Sequence, residues 1–355
     1  MTSVQTRFLA AAGFLLIVAS LMGFVLDTTH PLVWWPRFAL YLFAALLALR
    51  AALDGEANPR GEKKATARDK AVPVLLISAL IIVIWYIASI LLNAPFQRDQ
   101  DRRDNVTPAT AEFVMKTWSQ PKPTMPAPHQ VAEALYKGVF TVKLTSARSL
   151  VYHSWVTLSS TLLGFAMGTG LGVLIAVGIV HVPALDKSFL PWIIASQTIP
   201  ILAVAPMIVV VLAAVNITGI LPKALISAYL SFFPVAVGMV KGLRSPEVMH
   251  LDLVHTYSAT RWQTFWKLRV PASIPFFFTS IKVAVAASLV GAIVGELPTG
   301  AVAGIGSKLL AGSYYSQTID VWAALIAGSI VAVILVLIVD LASRLVAKSM
   351  GARPE

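Results

Sequence analysis

The sequence predicts an all-α polytopic membrane protein with about eight transmembrane helices. Three observations carry this. Hydrophobic residues fill 57% of the 355 positions and charged residues only 13%, whereas soluble domains run at about 45–50% apolar and about 25% charged. So little polar surface cannot cover a core of this size in water, which excludes an ordinary water-soluble enzyme. The apolar residues also fall in long runs, and a run of about 20 lets a helix cross a hydrocarbon core about 30 Å thick. No segment alternates apolar and polar residues over about ten positions, as a barrel strand would. Helices and closed barrels alone satisfy the backbone in lipid, so helices remain.

The qualifying runs are roughly 8–26, 33–53, 72–94, 150–180, 188–215, 218–240, 276–297 and 322–347. Run 8–26 begins after Arg7 like a signal peptide, but its core is long and no small-x-small site follows at 22–27, so it reads as a retained span. The net charge of +11 fits the positive-inside rule rather than nucleic-acid binding. Arg50, Arg60, Lys63, Lys64, Arg68 and Lys70 crowd one short loop. Lys241, Arg244, Arg261, Lys267 and Arg269 crowd another, and Arg344, Lys348 and Arg353 mark the C-terminus. With both termini cytoplasmic, all of these fall on one side. Segment 95–148 then lies outside; it balances its bases with Asp99, Asp101, Asp104, Glu112 and Glu133 and is long enough to weaken the rule.

Between the third and fourth runs, Gln97–Asn105 is polar and Pro121, Pro123, Pro126 and Pro128 disfavour helix. They read either as an extended, surface-hugging strap or as a solvated linker, and 129–146 reads as a short amphipathic helix. In run 150–180, Gly164, Gly168, Gly172 and Ala176 recur every four residues, a helix-packing stripe. In run 188–215, Pro200 and Pro206 interrupt the helix just after Ser196, Gln197 and Thr198. Such a break forms a pathway wall or a purely structural kink. Glu296, at the far end of run 276–297, is a functional candidate as a carboxylate in a membrane segment; capping or pairing is the other reading. Lys282 and Asp340 sit near the opposite end. There is no cysteine, and the six histidines are scattered, with His250 and His255 five apart and on different helix faces; no metal site is expected.

Segment 244–275 is too polar to span and too apolar to be a loose loop. Leu251, Val254, Phe265 and Leu268 keep helical spacing, Trp262 and Trp266 add an aromatic edge, and Pro271 and Pro275 are expected to stop the helix. Such a helix suits a groove on another protein or a flat position at the lipid surface. The segment resembles the EAA loop of binding-protein-dependent ABC importer permeases. Asp252-Leu253-Val254 stands at the triplet, Ser258 at the glycine, and Val270-Pro271 closes the motif, with Ala259-x-Arg261-Trp262 and Pro271-Ala272 matching as well. The resemblance covers roughly 150–345 and is strongest with the nitrate/sulfonate/taurine type. Ile199-Pro200, Ala205-Pro206, Phe232-Phe233-Pro234, Gly242 and Glu296 followed by Gly304-Ile305-Gly306 carry it further, as does Pro126-x-Pro128…Val131…Ala134-Leu135 before the core. The departures are the Asp-Leu-Val triplet, acidic-small-small in the family, and Ser258, whose Cβ makes a sharp bend less easy than glycine does.

The resemblance implies a five-helix type I ABC permease core over 150–347, with 1–71 as two extra helices and a basic loop, 72–149 as a further span plus the Pro-rich segment, and 348–355 as a cytoplasmic tail. It implies Asp252, Leu253, Val254, Ser258, Ala259, Arg261, Trp262 and Pro271 as the coupling segment to ABC ATPase subunits. Gln197, Thr198, Pro200, Pro206, Tyr229 and Glu296 are pathway candidates. No G-x-x-x-x-G-K-[ST] loop occurs, so no catalytic residue and no cofactor are expected on this chain, with ATP and Mg held by the ATPases. The implied partners are a periplasmic solute-binding protein, a second permease subunit in a homodimer or heterodimer, and the lipid of a bacterial inner membrane. A self-sufficient secondary transporter is the rival; it would show paired repeats and several midplane charges.

Overall fold

A computed structural model describes residues 67–350. The expected spans 8–26 and 33–53, the loop that follows them and the last five residues lie outside the described residues. The described chain is helical without a strand and divides into two compact units at Ala132/Glu133.

In the first unit, α1 spans Ala67–Arg103 and α2 spans Thr110–Trp118. Run 72–94 therefore continues as helix through the polar Gln97–Arg103, because hydropathy marks only the apolar part of a helix. Residues 119–127 form no helix, as their prolines require. They are tied to α1 by amide bonds: buried Asn93 donates to the carbonyls of Thr117 and Met125 at 3.1 and 2.9 Å and accepts from Met125 N–H at 3.1 Å. Trp85 Nε1 donates to the Pro126 carbonyl at 2.9 Å. Helix α3, Pro128–Tyr136, crosses the unit boundary and passes into a π-turn at Lys137–Thr141.

The second unit contains α4 (Leu150–His181), α5 (Pro183–Ser196), α6 (Ile201–Ala214), α7 (Ile220–Leu243) and α8 (Val248–Thr256). After them come α9 (Arg261–Thr264), a π-turn at Phe265–Arg269, α10 (Val270–Glu296), α11 (Ile305–Tyr314) and α12 (Thr318–Ser349). Among the described residues, five helical runs are long and apolar enough to cross a membrane, and α5 with α6 makes a sixth only as a pair bent by 102°. The run Arg261–Glu296 is unbroken. Pro271 and Pro275 therefore do not stop a helix: Pro271 sits in the first turn of α10, and the wider π-turn just before it accommodates the missing donor. Pro206 likewise lies inside α6, so the break belongs to Gln197–Pro200 alone.

Helix α7 is the centre, packed between α4 and α10. A Cβ on Gly164 would stand 2.5 Å from the Ala224 carbonyl, on Gly168 2.6 Å from that of Ala228, and on Gly172 2.8 Å from that of Phe232. The partners advance together, so α4 and α7 run parallel. Gly291 would meet Ser227 Cα at 2.7 Å and Gly295 Lys223 Cα at 3.1 Å, which sets α10 antiparallel on the other side. Lipid is as apolar as leucine, so helices gain by close backbone approach and dispersion rather than by hydrophobic burial. Ser227 Oγ donates to the Ser288 carbonyl at 2.8 Å and Ser288 Oγ to the Thr161 carbonyl at 2.9 Å, joining the three helices at one level.

Candidate functional site

At one end of the second unit, α8 and α9 project from the core. Helix α8 ends in a Schellman motif: Ala259 N–H bonds to the Val254 carbonyl at 3.1 Å and Ser258 N–H to that of His255 at 2.8 Å. Ser258 takes φ 53, the left-handed conformation that favours glycine. Thr260 then opens α9 with a capping box, its N–H bonding to Gln263 Oε1 at 2.8 Å and its Oγ1 accepting from Gln263 N–H at 3.3 Å. Segment 244–275, expected to carry one amphipathic helix, therefore holds two helices, α8 and α9, with a turn at 257–260 between them.

This projection has an anchored inner edge and an open outer edge. Phe265 is buried in the core cluster with Ile179 and Leu243, and its ring stands edge-on to His181 at 4.9 Å. Arg269 Nη1 donates to the Leu243 carbonyl at 3.0 Å, satisfying the end of α7. The outer edge exposes Val248, Met249, Leu253, Tyr257, Trp262 and Trp266, with Trp262 70% open. Asp252 and Arg261 are also exposed, Val254, Ala259 and Pro271 half-buried.

The break in the α5–α6 pair gathers Ser196, Gln197, Thr198 and Pro200. Tyr229 of α7 donates its hydroxyl to the Ser196 carbonyl at 2.5 Å, holding the frayed end of α5. Pro200 serves as N-cap of α6 in an extended conformation, and Gln197, Thr198 and Pro206 are exposed.

Glu296 stands apart from that group, at the end of the core opposite α8. It is fully buried. One carboxylate oxygen accepts from Thr157 Oγ1 at 2.8 Å and the other from Gly306 N–H at 2.6 Å, while Thr157 Oγ1 accepts from Ile305 N–H at 2.8 Å. The carboxylate thus caps the positive end of α11. Gly304 has φ 134, and a Cβ there would stand 2.3 Å from Glu296 Oε1. His153 Nδ1 stands 2.9 Å from the Gly304 nitrogen and 3.0 Å from its carbonyl oxygen, and Nε2 stands 2.9 Å from the Ala147 carbonyl, so the ring ties Gly304 to the start of α4. Of the two readings of Glu296, capping is the one its contacts express.

The structure brings together the residues from Asp252 to Trp262, and joins Tyr229 to Ser196, directly before the break at Gln197–Pro200. Glu296 joins neither group. Sequence reading missed Thr157, His153, Lys223, Phe265 as anchor and Arg269 as cap; only the Gly304-x-Gly306 spacing hinted at a partner for Glu296.

Residues 168–352 match the family described as binding-protein-dependent transport system inner membrane component. A formylaminopyrimidine transport permease protein of Halalkalibacterium halodurans is 28% identical over 227 residues, covering 64% of this chain and 76% of that protein. A riboflavin transport system permease protein of Chloroflexus aurantiacus is 31% identical over 176 residues, 50% of this chain and 63% of its own. A nitrate import permease protein of Leptolyngbya laminosa is 27% identical over 164 residues, 45% and 55% respectively.

Proposed function

The chain belongs to the family of binding-protein-dependent transport system inner membrane components, a multi-pass membrane permease, and from that premise we propose how it works. It is the membrane-spanning subunit of an ATP-binding-cassette importer. It moves a small solute, delivered by a periplasmic binding protein, across the bacterial inner membrane. Two permease subunits enclose the pathway, and separate ATPase subunits drive alternating access. The solute is a sulfonate, nitrate or heterocyclic vitamin precursor, a range that the formylaminopyrimidine and nitrate permeases among its relatives support. Both termini and the α8–α9 projection are cytoplasmic, so the Glu296 end is periplasmic.

The observation that carries this reading is the α8–α9 projection. Its apolar outer edge (Leu253, Tyr257, Trp262) is open, while Phe265 and Arg269 fix it to α4 and α7. Force applied to that edge passes directly into α10, because Arg261–Glu296 is one helical run. An edge with exposed Trp and Leu on a rigid helix fits a groove on a partner. ATP-driven closure of the partners moves the lever, and the break at Gln197–Pro200, held by Tyr229, forms part of the pathway wall.

The test is co-purification. Leu253→Ser combined with Trp262→Ser leaves yield and monodispersity of the solubilised chain unchanged and releases the ATPase subunit that co-purifies with the parent chain. Full retention of the ATPase refutes the coupling assignment. Solute uptake into liposomes by the chain alone would establish the secondary-transporter reading instead.

A further inference from the structure

Helices α10 and α12 carry a cluster of charges on an otherwise apolar face. Lys282 Nζ donates to Asp340 Oδ1, and Arg344 Nε donates to Asp340 Oδ2 at 2.8 Å. One carboxylate thus serves two cations. The other acids of these helices, Glu296 and Asp320, lie at the opposite ends, so the cluster keeps a net positive charge. Lys348, exposed one turn beyond Arg344, adds to it. Donors are left over as well: an ammonium has three N–H groups and a guanidinium five, and Asp340 takes one from each. The cluster is open, with the Arg344 side chain 74% exposed and that of Lys282 34%.

The surroundings and the depth of the cluster indicate what covers it. Around it α12 exposes Val333, Ile334, Leu337, Ile338, Leu341 and Leu345. Among the exposed apolar positions from 333 to 345, Ala342 alone is small. Helices pack on helices in lipid through small residues, as α4 does on α7, whereas a face of large aliphatic side chains suits acyl chains. Helix α12 has 32 residues, about 48 Å at 1.5 Å per residue, against a hydrocarbon core of about 30 Å. Shared evenly, the overhang is about 9 Å at each end, or about six residues. Arg344, five residues before the last of α12, therefore falls at the edge of the hydrocarbon, and the long Lys282 side chain snorkels toward the same level. Basic pockets between transmembrane helices at headgroup depth suit anionic lipid headgroups.

We infer that Lys282 and Arg344 hold the phosphodiester of an anionic phospholipid such as phosphatidylglycerol, whose acyl chains lie along the aliphatic face of α12. Asp340 orients the two cations. A choline headgroup brings its own cation and leaves the excess charge of the cluster unmet. The inference goes beyond the permease reading and takes from it only the leaflet, the cytoplasmic one.

The experiment titrates the purified full-length chain in dodecyl maltoside, at constant ionic strength, with dioleoylphosphatidylglycerol, dioleoylphosphatidylcholine or free glycerol phosphate. Native mass spectrometry counts bound lipid, and the thermal midpoint is read in parallel. Phosphatidylglycerol binds saturably and raises the midpoint; phosphatidylcholine and glycerol phosphate do not. Arg344→Gln raises the apparent Kd about fivefold, the effect of one basic group at an anionic membrane surface. Adding Lys282→Gln raises it further, and Lys282→Arg alone keeps the parent value. Lys143→Gln, which removes an exposed lysine outside α10 and α12, also keeps it. Equal binding of the two lipids, an equal response to glycerol phosphate, or an unchanged Kd in Arg344→Gln overturns the inference. An equal loss in Lys143→Gln does so too, since the attraction then belongs to the net charge of the chain. So does an Arg344→Gln chain that changes from dimer to monomer with its lipid count unchanged, because the face then belongs to a second subunit.

Discussion

At the scale of single residues, several helix ends are closed by side chains that tolerate left-handed backbone. Asn105, Asn216, Ser258 and Ser316 all have positive φ, and each donates its N–H three residues back at a helix C-terminus. Asparagine adopts this conformation readily, serine less so. Ser258→Gly should therefore stabilise the chain by about 0.5–1 kcal/mol, the left-handed penalty reduced by the extra chain entropy of glycine. Ser258→Val should destabilise it, and thermal unfolding in detergent compares the two. Glu296 is the costlier residue. Glu296→Gln presents an amide N–H₂ to one of two donors, Thr157 Oγ1 and Gly306 N–H. A loss of about 1–3 kcal/mol is expected from the donor left unpaired, with Glu296→Ala lower still. A Glu296→Gln midpoint equal to the parent would show that the cap contributes nothing.

At the scale of elements, the decisive contact is α7 between α4 and α10. The stripe Gly164–Gly168–Gly172 admits the backbone of α7, and no larger side chain fits: a Cβ on Gly168 already stands 2.6 Å from the Ala228 carbonyl. Gly168→Leu should abolish the folded monomer, seen as loss of the monodisperse peak in size-exclusion chromatography. Leucine at the neighbouring Gly170, where a Cβ meets nothing within 4 Å, should leave that peak intact. The periodicity of small residues made this face legible. It could not show that α7 answers with its own small residues, or that buried serines tie the three helices together.

At the scale of the whole molecule, stability is unevenly shared. Helix α7 buries a face along its whole length, whereas among the described side chains α5 contributes Ile193 and α6 contributes Ala205 as buried hydrophobics. Amides of Ile220–Leu243 should exchange most slowly in detergent, and those around the break at Gln197–Pro200 should be among the fastest of the second unit, since local opening follows low burial. Slow exchange across the break would contradict a pathway wall that moves. The charge pairs Lys282–Asp340 and Asp186–Arg244 join α10 to α12 and α5 to the end of α7. They are partly open to solvent and guide register more than they stabilise.

Among the described residues, the membrane class, the apolar runs that become long helices, the glycine seam and the segment that projects from the core were all legible in the sequence. Those follow from hydropathy and spacing, which lipid thickness and helix geometry read directly. Tertiary structure alone decided three matters. Pro271 and Pro275 continue a helix rather than end it, since a π-turn outside any local pattern precedes them. Glu296 turns to cap α11, because Thr157, more than a hundred positions away in the chain, meets it there. Lys223 borders a cleft whose walls come from three separate stretches of chain. The last two depend on residues distant in sequence arriving at one point, and no periodicity of a single helix encodes that meeting.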